Sequence, residues 1–577
     1  MKRFLISAIV LLSAFGFAAG QTPSPTPTPA PVDDSRRVAP ENLPNVPDIA
    51  PDFRSRTRDL PDLGRVGVDM ASQRPMTVRE SVTLALENNK DIAVTRQNVR
   101  IAEFDLRAAR GFFQPRLTGI TRYEDTTVPN LSIFTTNQKN RNSAVVGNAT
   151  LTGYLPSFGT KISGDITNQN VSTNNPITVL SPQYNASLGF TIVQPLFRGR
   201  GFDQGRRAIE IAKRNLSLTD AQFRQRTIEI ITNVQRAYWD LTFALRNLQV
   251  QRDAVRDAKQ QMEHNRRLVL EGQLAPIDVI AAETQVANFE QAVYEALNSV
   301  SQAENTLKNL VSPNRNDVIW NESITPVDPV ELQIPNTSLN DALTAALENR
   351  PELELNQVQK DINSIDEKFY KDQTKPQIDL IAGYTSTGVG GEQSRAFRPV
   401  FQTPCQVDPN SPACQAQQAA LAELTGNPYS GIFSNKYPTY SVGVQFNLPL
   451  FGDKTAKAQL GRTRVEGERL GTQREQIEQQ IQVEVRNSIQ LVRTAEARLR
   501  AAAIARENTA KQYESEQRKL DAGQSDIYTV LERQTALTAA RSSELRAQTE
   551  LNKAITDLHR STGNALKEND VTMLIKK

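Results

Sequence analysis

The chain has 577 residues, of which 38% are hydrophobic, 23% charged and 6% aromatic, a mixture too apolar for a disordered protein and too polar for a helical membrane protein. Its formal net charge of +3, from 67 basic and 64 acidic residues, provides no global field that would draw it to nucleic acid. Two cysteines cannot build a disulfide scaffold, and two histidines leave little for zinc or acid–base chemistry, so composition disfavours an enzyme.

Residues 1–20 have the order of a secretory signal peptide. Two basic residues precede an apolar run, and small residues then lead to Gly20, near which we expect cleavage. The run is too short for a retained membrane helix, which needs ~20 apolar residues. Residues 21–75 are rich in proline at first and low in complexity, which predicts an extended or disordered segment. The protein is therefore expected to be exported, and any membrane it crosses is predicted to be crossed by strands.

The rest of the chain is organised as an internal repeat. Residues 76–313 and 338–565 carry the same signals in the same order, with a linker at 314–337 between them and a tail at 566–577. Each repeat is predicted to open with a capped helix. One supersecondary unit used twice therefore replaces the several domains that the length alone would suggest.

Apolar and polar residues alternate before a proline–leucine–phenylalanine motif in each repeat. The alternation covers residues 184–192 and 442–450, recurs at 378–384, and is weaker at 117–123. Runs of ~9–11 residues suit tilted strands that span a bilayer, although an ordinary half-buried sheet alternates identically. The pattern predicts four strands per chain, so that three chains would supply the twelve strands of a closed barrel.

Very long helices are predicted to follow these strands. Residues 206–270 contain no glycine or proline and would form a helix ~100 Å long, and residues 472–522 form a second such stretch. Each ends near a glycine, Gly272 or Gly523, after which a second helix returns. Such lengths predict a coiled-coil barrel or rod. A tight turn between antiparallel helices requires positive φ, which glycine adopts freely.

The sequence lacks the common motifs for catalysis and nucleotide binding. The sequence has no phosphate-binding loop, no HExxH, no CxxC and no GxSxG. His264 and His559 lie in charged helical stretches and are interpreted as solvated. Cys405 and Cys414 lie in a long predicted loop at 385–437, where they are expected to form a disulfide because the protein is predicted to be exported. The alternative, a redox-active pair, would need a CxxC motif.

These features together resemble the TolC family of outer-membrane efflux channels. The resemblance rests on the repeat order, the QPLF and LPLF strand ends at 194–197 and 448–451, and the turns EGQLAPIDVIAAETQ at 271–285 and DAGQSDIYTVLERQT at 521–535. It implies a mixed α+β membrane protein, a homotrimer whose 12-stranded outer-membrane barrel continues into a long periplasmic α-helical coiled-coil barrel. An extra alternating stretch at 148–166 departs from the family pattern and suggests an added hairpin within 124–183.

The resemblance also implies a function, a location and partners. The chain would be a passive exit duct in the outer membrane of a Gram-negative bacterium, in contact with its lipid and serving a tripartite efflux or type I secretion system. It would carry small molecules or polypeptides, dock on a periplasmic adaptor, and depend on an inner-membrane pump of the RND, ABC or MFS type. No cofactor, metal or nucleic acid is implied.

Site residues follow from the family's periplasmic gate at the helical tips. Asp278 stands where a family aspartate helps to hold the pore closed, and Ser525 stands where the archetype has an arginine. Glu532 keeps a carboxylate at a family acid position, whereas Asp526 has no family counterpart and is interpreted as a solvated tip residue. A solvated carboxylate remains the alternative for Asp278 and Glu532. The turn residues implied in adaptor contact are Gly272, Leu274, Ala275 and Gly523.

A structural role is the alternative function. An exported coiled-coil protein, such as a surface adhesin stalk, would also contain very long helices. A stalk needs no repeated pairs of amphipathic strands between its helices, and its heptads usually run in one direction. The strand pairs of this sequence therefore favour the duct.

Overall fold

The computed structural model describes residues 63–131, 138–329, 335, 337–399, 402–449 and 452–571. The predicted signal peptide, the segment at 21–62, the end of the LPLF motif at 450–451 and the last residues at 572–577 lie outside the described residues. Within the described ranges, no helix combines the length and the apolar character that a membrane span requires.

The first half of the described chain contains a short helical pair, five strands and a long helical hairpin. Its elements, in chain order, are β1 (Asp69–Met76), α1 (Val78–Asn88), α2 (Lys90–Arg110), β2 (Arg116–Pro129), β3 (Lys139–Tyr154), β4 (Lys161–Thr173), β5 (Leu180–Pro195), α3 (Gln204–Leu270) and α4 (Pro276–Val311).

The second half repeats this order with three strands in place of five. Its elements are β6 (Glu322–Pro326), α5 (Leu339–Asn349), α6 (Pro351–Gln373), β7 (Gln377–Gln393), α7 (Pro404–Val407), α8 (Pro412–Leu424), α9 (Pro428–Phe433), β8 (Tyr437–Asn447), α10 (Lys454–Asp521), α11 (Ile527–Ser561) and α12 (Ala565–Glu568). The predicted helix caps form as expected, because Thr77 accepts from the Glu80 amide and Ser338 from the Asp341 amide.

Six strands form one antiparallel sheet in the order β2-β3-β4-β5-β7-β8. The prediction of four strands per chain was therefore wrong for the described residues. The two additional strands, β3 and β4, form the hairpin suggested by the stretch at 148–166. Small and polar residues occupy both sides of β3, so its alternation is too weak to mark its full length.

The register of the sheet collects the large apolar side chains on one face. Each strand contributes alternate residues to this face, and the pairing aligns Leu117 with Leu151 and Phe190 with Tyr384 and Tyr440. We call it the apolar face; its exposed members include Leu117, Leu151, Ile162, Phe190, Ile192, Leu380, Tyr440, Val442, Val444 and Phe446. The opposite face carries mainly threonine, serine, asparagine and glutamine.

The long helices are α3, with 67 residues, and α10, with 68. Helix α10 begins at Lys454, well before the predicted start at 472, and runs through three glycines. At Gly467, a Cβ would lie 3.0 Å from the Asn363 amide nitrogen, and Asn363 donates to the Thr463 carbonyl. The missing side chain thus lets α6 approach α10, and this tertiary packing outweighs the low helix propensity of glycine.

A small parallel pairing joins the predicted N-terminal segment to the predicted linker. All of β1 except Met76 lies within the predicted extended or disordered segment 21–75, and β6 lies within the predicted linker 314–337. Neither segment was predicted to form a strand. The pairing joins parts of the chain about 250 residues apart, so local sequence carries no sign of it. Met76 and Ile324, one from each strand, are fully buried in the largest hydrophobic cluster beside α1, α3 and α4.

A buried charge cluster lies beside these two strands. A Glu304 carboxylate oxygen is 2.7 Å from Arg65 Nη1, and the other is 3.5 Å from Lys308 Nζ. The second oxygen also accepts from the Ile324 amide at 2.9 Å. All three charged side chains are at most 4% exposed, and burial is the main cause that lowers the pKa of Lys308. One carboxylate therefore serves two buried cations.

The insertion between β7 and β8 is shorter and more ordered than the predicted loop at 385–437. Strand β7 continues to Gln393, and the described part of the insertion contains α7, α8 and α9. Cys405 and Cys414 form a disulfide between α7 and α8. His559, interpreted as solvated, is half-buried near the end of α11, and burial lowers its pKa.

Candidate functional site

The tip of the first helical hairpin is a five-residue turn between α3 and α4. Gly272 has φ +74°, its amide donates to the Val269 carbonyl at 3.0 Å, and the Gln273 amide donates to Leu268 at 2.8 Å. This pair of bonds is the Schellman arrangement that ends helices at a left-handed residue. No atom lies within 4 Å of the position that a Cβ at Gly272 would occupy, so the backbone angle alone favours glycine.

The second hairpin has the same geometry between α10 and α11. Gly523 has φ +69°, its amide donates to Leu520 at 2.9 Å, and the Gln524 amide donates to Lys519 at 2.8 Å. No atom approaches the Cβ position of Gly523 either. The two tips are thus near-identical turns.

Asp278 caps the helix that returns from the first tip. Its carboxylate accepts from the backbone amide of Ala275 at 3.0 Å, and Pro276 occupies the first helical position. Leu274 is half-buried, whereas Ala275 is exposed at the apex of the turn. In the single chain, the Asp278 carboxylate therefore stabilises its own helix terminus.

Asp526 performs the corresponding role at the second tip. It is the N-cap of α11 and accepts from the Thr529 amide at 2.8 Å and from the Thr529 hydroxyl at 3.2 Å. Glu532, less than two turns further on, is exposed and forms no side-chain hydrogen bond or ion pair within the described residues. Within the described residues, no direct partner therefore neutralises its negative charge.

Ser525 does not contact Asp278 in the single chain. Its hydroxyl donates to Glu516 at 2.5 Å, and Lys519 Nζ lies 3.1 Å from the same carboxylate group. The Ser525 hydroxyl and then the Lys519 ammonium hold the pKa of Glu516 below its usual range. Arg518, a second candidate cation for the tip, donates to a carbonyl of its own helix.

The two hairpins contact each other just behind their tips, at residues that sequence reasoning missed. His264 Nε2 on α3 lies 3.1 Å from a carboxylate oxygen of Asp521 on α10, and the Gln517 amide donates to Gln261 at 3.3 Å. His264 was interpreted as solvated, but it is only about one-third exposed and has this partner. Nothing in the local sequence indicates the pairing, because its members are 257 residues apart.

A cavity of about 410 Å³ lies between the hairpins at this level. Its lining includes His264, Asp257, Tyr513 and Asp521. Burial, and then the nearby charge of Asp257, raise the pKa of Tyr513 to about 12. The Tyr513 hydroxyl accepts from Gln517 at 3.0 Å, so the cavity wall is polar and neutral at this side chain. Among the described residues, no cluster of three or more histidine, cysteine or acidic side chains could hold a metal ion.

Comparison with known proteins gives a family and a fold. The family model described as "Outer membrane efflux protein" matches residues 82–312 and 342–564, which is most of the chain. No curated protein matches the chain by sequence.

Several solved structures share the fold at low sequence identity. The outer-membrane channel OprN is 15% identical with a TM-score of 0.60, and the match covers 89% of this chain and 99% of that one. The CmeC outer membrane channel of Campylobacter jejuni is 14% identical with a TM-score of 0.59, covering 86% and 90%. The open state of the MtrE outer membrane channel of Neisseria gonorrhoeae is 15% identical with a TM-score of 0.55, covering 85% and 89%.

The match to the family model spans both halves of the chain and includes the long helical hairpin of each half. The resemblance noted in the sequence is thereby confirmed. The chain belongs to the outer membrane efflux protein family, the TolC family, and is a protein of the Gram-negative outer membrane with a periplasmic extension.

Proposed function

We propose that three copies of this chain form a passive exit duct that connects a periplasmic efflux or type I secretion assembly to the exterior. The observation that carries the proposal is the continuity of one sheet, apolar on one face and polar on the other, with two helical hairpins. The sheet suits a membrane wall, and the hairpins suit a periplasmic tunnel. Small molecules or polypeptides would pass through.

The two faces of the sheet support an assignment of inside and outside. The apolar face would meet lipid, because moving its exposed leucine, isoleucine, valine and phenylalanine side chains out of water lowers the free energy. The opposite face, with its amides and hydroxyls, would line a water-filled pore. A structural stalk, the alternative considered from the sequence, requires neither face.

The edges of the sheet support closure by copies of the same chain. Strands β2 and β8 form the two edges, and every residue in both is exposed in the single chain. Long unpaired edges are aggregation sites unless another strand covers them. We infer that β2 of one copy pairs with β8 of the next. Because each sheet has six strands, a trimer closed in this way would contain eighteen strands. We therefore propose a barrel of eighteen strands instead of the twelve expected from the sequence.

The helical tips are the proposed docking points for a periplasmic adaptor, which would connect the duct to an inner-membrane pump of the RND, ABC or MFS type. The sequence has no nucleotide-binding loop, so energy would come from the pump. The turn residues Gly272, Leu274, Ala275 and Gly523 lie at the ends of the hairpins, where a partner would approach first.

A planar-bilayer recording tests the proposed duct. The purified protein should conduct ions with a preference for cations, because threefold symmetry would place three unpaired Glu532 carboxylates around the tip opening. Glu532→Gln should reduce the cation preference, whereas Glu295→Gln, an exposed glutamate far from the tips, should leave it unchanged. A protein that inserts but never conducts would contradict the duct and favour the stalk.

A new cation at the second tip should tighten the resting gate. Ser525→Arg would place a guanidinium where it can bond Asp278, and a charge-assisted link contributes about 1.5–3 kcal/mol. We expect lower resting conductance than in the parent. Glu516, the present partner of Ser525, could also take the guanidinium. The proposed pairing is wrong if Ser525→Arg has the same effect in an Asp278→Ala background.

Bulky residues at the tip glycines should impair export while leaving the membrane barrel assembled. Gly272→Val and Gly523→Val force a β-branched residue to positive φ, at a cost of about 1–3 kcal/mol each, and so reshape the turns. The measurement is export together with cross-linking to the adaptor. Gly443→Val is the matched control, because Gly443 lies in β8 with open space around its Cβ position. Undiminished export and cross-linking in the double tip variant would show that these turns do not belong to the docking site.

A further inference from the structure

The short helix α9 lies against the apolar face, at the end of the sheet far from the long helices. The Ser386 hydroxyl of β7 donates to the Ile432 carbonyl at 2.9 Å, and the Asn168 amide of β4 donates to the Tyr429 hydroxyl at 2.8 Å. Ser386 and Asn168 belong to the same face as Phe190 and Leu380 by register. The helix is therefore on the outside of the proposed duct.

A cradle of small residues holds α9 in this position. A Cβ at Gly388 would lie 1.7 Å from the Pro428 carbonyl oxygen, and one at Gly390 would lie 2.2 Å from the Gly426 carbonyl oxygen. Ala186, which pairs with Gly388, is only 1% exposed. The two strands thus carry no side chain larger than a methyl group where the helix backbone rests, so the contact is built into the sheet.

Two aromatic side chains of α9 remain accessible beside the sheet. Ile432 is buried against the strands, Phe433 is 84% exposed, and Tyr429 is 41% exposed although its hydroxyl contacts β4. Exposure of a phenylalanine to water is unfavourable, whereas the boundary between lipid head groups and acyl chains favours aromatic side chains.

The height of α9 along the sheet agrees with that boundary. Gly388 lies ten residues beyond Ile378, the first apolar-face residue of β7. At about 3.3 Å per residue and a strand tilt of about 40°, this separation corresponds to a height of about 25 Å. The apolar band of an outer-membrane sheet has about the same height, with aromatic girdles at its borders.

We propose that α9 is an interfacial anchor, which inserts Phe433 and Tyr429 into the head-group and acyl-chain boundary of the outer leaflet. The ligand is a lipid surface, and the anchor fixes the depth of the sheet in the membrane. This inference rests on the proposed function in one respect, namely that the apolar face meets lipid.

Tryptophan fluorescence in vesicles tests the anchor. The full-length protein is reconstituted into phosphatidylcholine vesicles whose acyl chains carry bromine near the head group or near the chain end. The parent chain has two tryptophans, Trp239 and Trp320, both outside the sheet, and their signal is subtracted. In Phe433→Trp, we expect the head-group-proximal bromines to quench the added fluorescence at least twofold. Val407→Trp, at a position in α7 that is 69% exposed and away from the sheet, should be quenched little.

A second pair of variants tests the cradle. Gly388→Val should displace α9 and abolish the quenching of Phe433→Trp, whereas Gly153→Val in the interior strand β3 should preserve it, because the Cβ position of Gly153 is open. The anchor is overturned if Phe433→Trp is quenched no more by brominated lipid than Val407→Trp, or if iodide in the water quenches both equally.

A reporter on the apolar face separates this result from the proposed function. Val442, 81% exposed on β8, should be quenched as Val442→Trp by bromines near the chain end. If Val442→Trp is not quenched, the assignment of the apolar face to lipid fails, and the anchor fails with it. If Val442→Trp is quenched and Phe433→Trp is not, only the anchor fails.

Discussion

Val442→Arg should prevent stable assembly in the outer membrane. Val442 lies on the apolar face of β8, is 81% exposed in the single chain, and pairs with Ala382 near the middle of the apolar band. An arginine on the lipid face near the middle of a membrane sheet costs about 2–4 kcal/mol, and a trimer bears this cost three times. We expect the amount of heat-resistant trimer in outer-membrane fractions to fall at least tenfold.

The neighbouring residue provides the matched control. Ser441 belongs to the opposite face of the same strand, so Ser441→Arg would place its charge in the proposed water-filled pore. This variant should assemble normally and change ion selectivity instead. Equal losses of trimer in the two variants would show that the assignment of the two faces is wrong.

Glu304→Gln should strongly destabilise the helical region. The change removes the carboxylate and leaves the buried cations Arg65 and Lys308 without their counter-charge. Removing one member of a buried ion pair costs about 3–5 kcal/mol, which is large against the stability of a typical domain. The measurement is the midpoint of thermal or urea unfolding of the purified protein, monitored by the circular dichroism of its helices.

Two further variants identify the cause of this loss. Glu295→Gln changes an exposed glutamate on the same helix and should alter the free energy of unfolding by about 0.5 kcal/mol or less. Lys308→Met in the Glu304→Gln background removes the surplus cation and should recover part of the lost stability. An unchanged midpoint in Glu304→Gln would mean that the cluster contributes nothing to folding.

Local and periodic features of this fold were predictable from its sequence. The two repeats, the long helices and the glycine turns follow from spacing, from the absence of helix breakers and from the positive φ that Gly272 and Gly523 adopt. The best strands, β5 and β8, alternate cleanly because one of their sides is apolar. At the tips, the sequence also indicated which acidic residues to examine, although it did not show that Asp278 and Asp526 cap their own helices.

The features that sequence analysis missed depend on contacts between distant residues. The pairing of β1 with β6, the burial of Arg65 against Glu304, and the contact of His264 with Asp521 each join residues at least 230 positions apart. No local period reports such contacts. The early start of α10 was missed for a related reason, since the glycine at 467 is explained only by its neighbour on α6.

The mass of the particle extracted from the outer membrane tests the central claim most directly. The protein is solubilised in mild detergent without heating, and native mass spectrometry counts the chains, while cysteine pairs placed along β2 and β8 report which edges meet. We predict three chains per particle, with cross-links that join β2 of one chain to β8 of another. A monomer, whether in the membrane or soluble in the periplasm, or a trimer whose β2 and β8 edges never cross-link, would contradict the proposed duct.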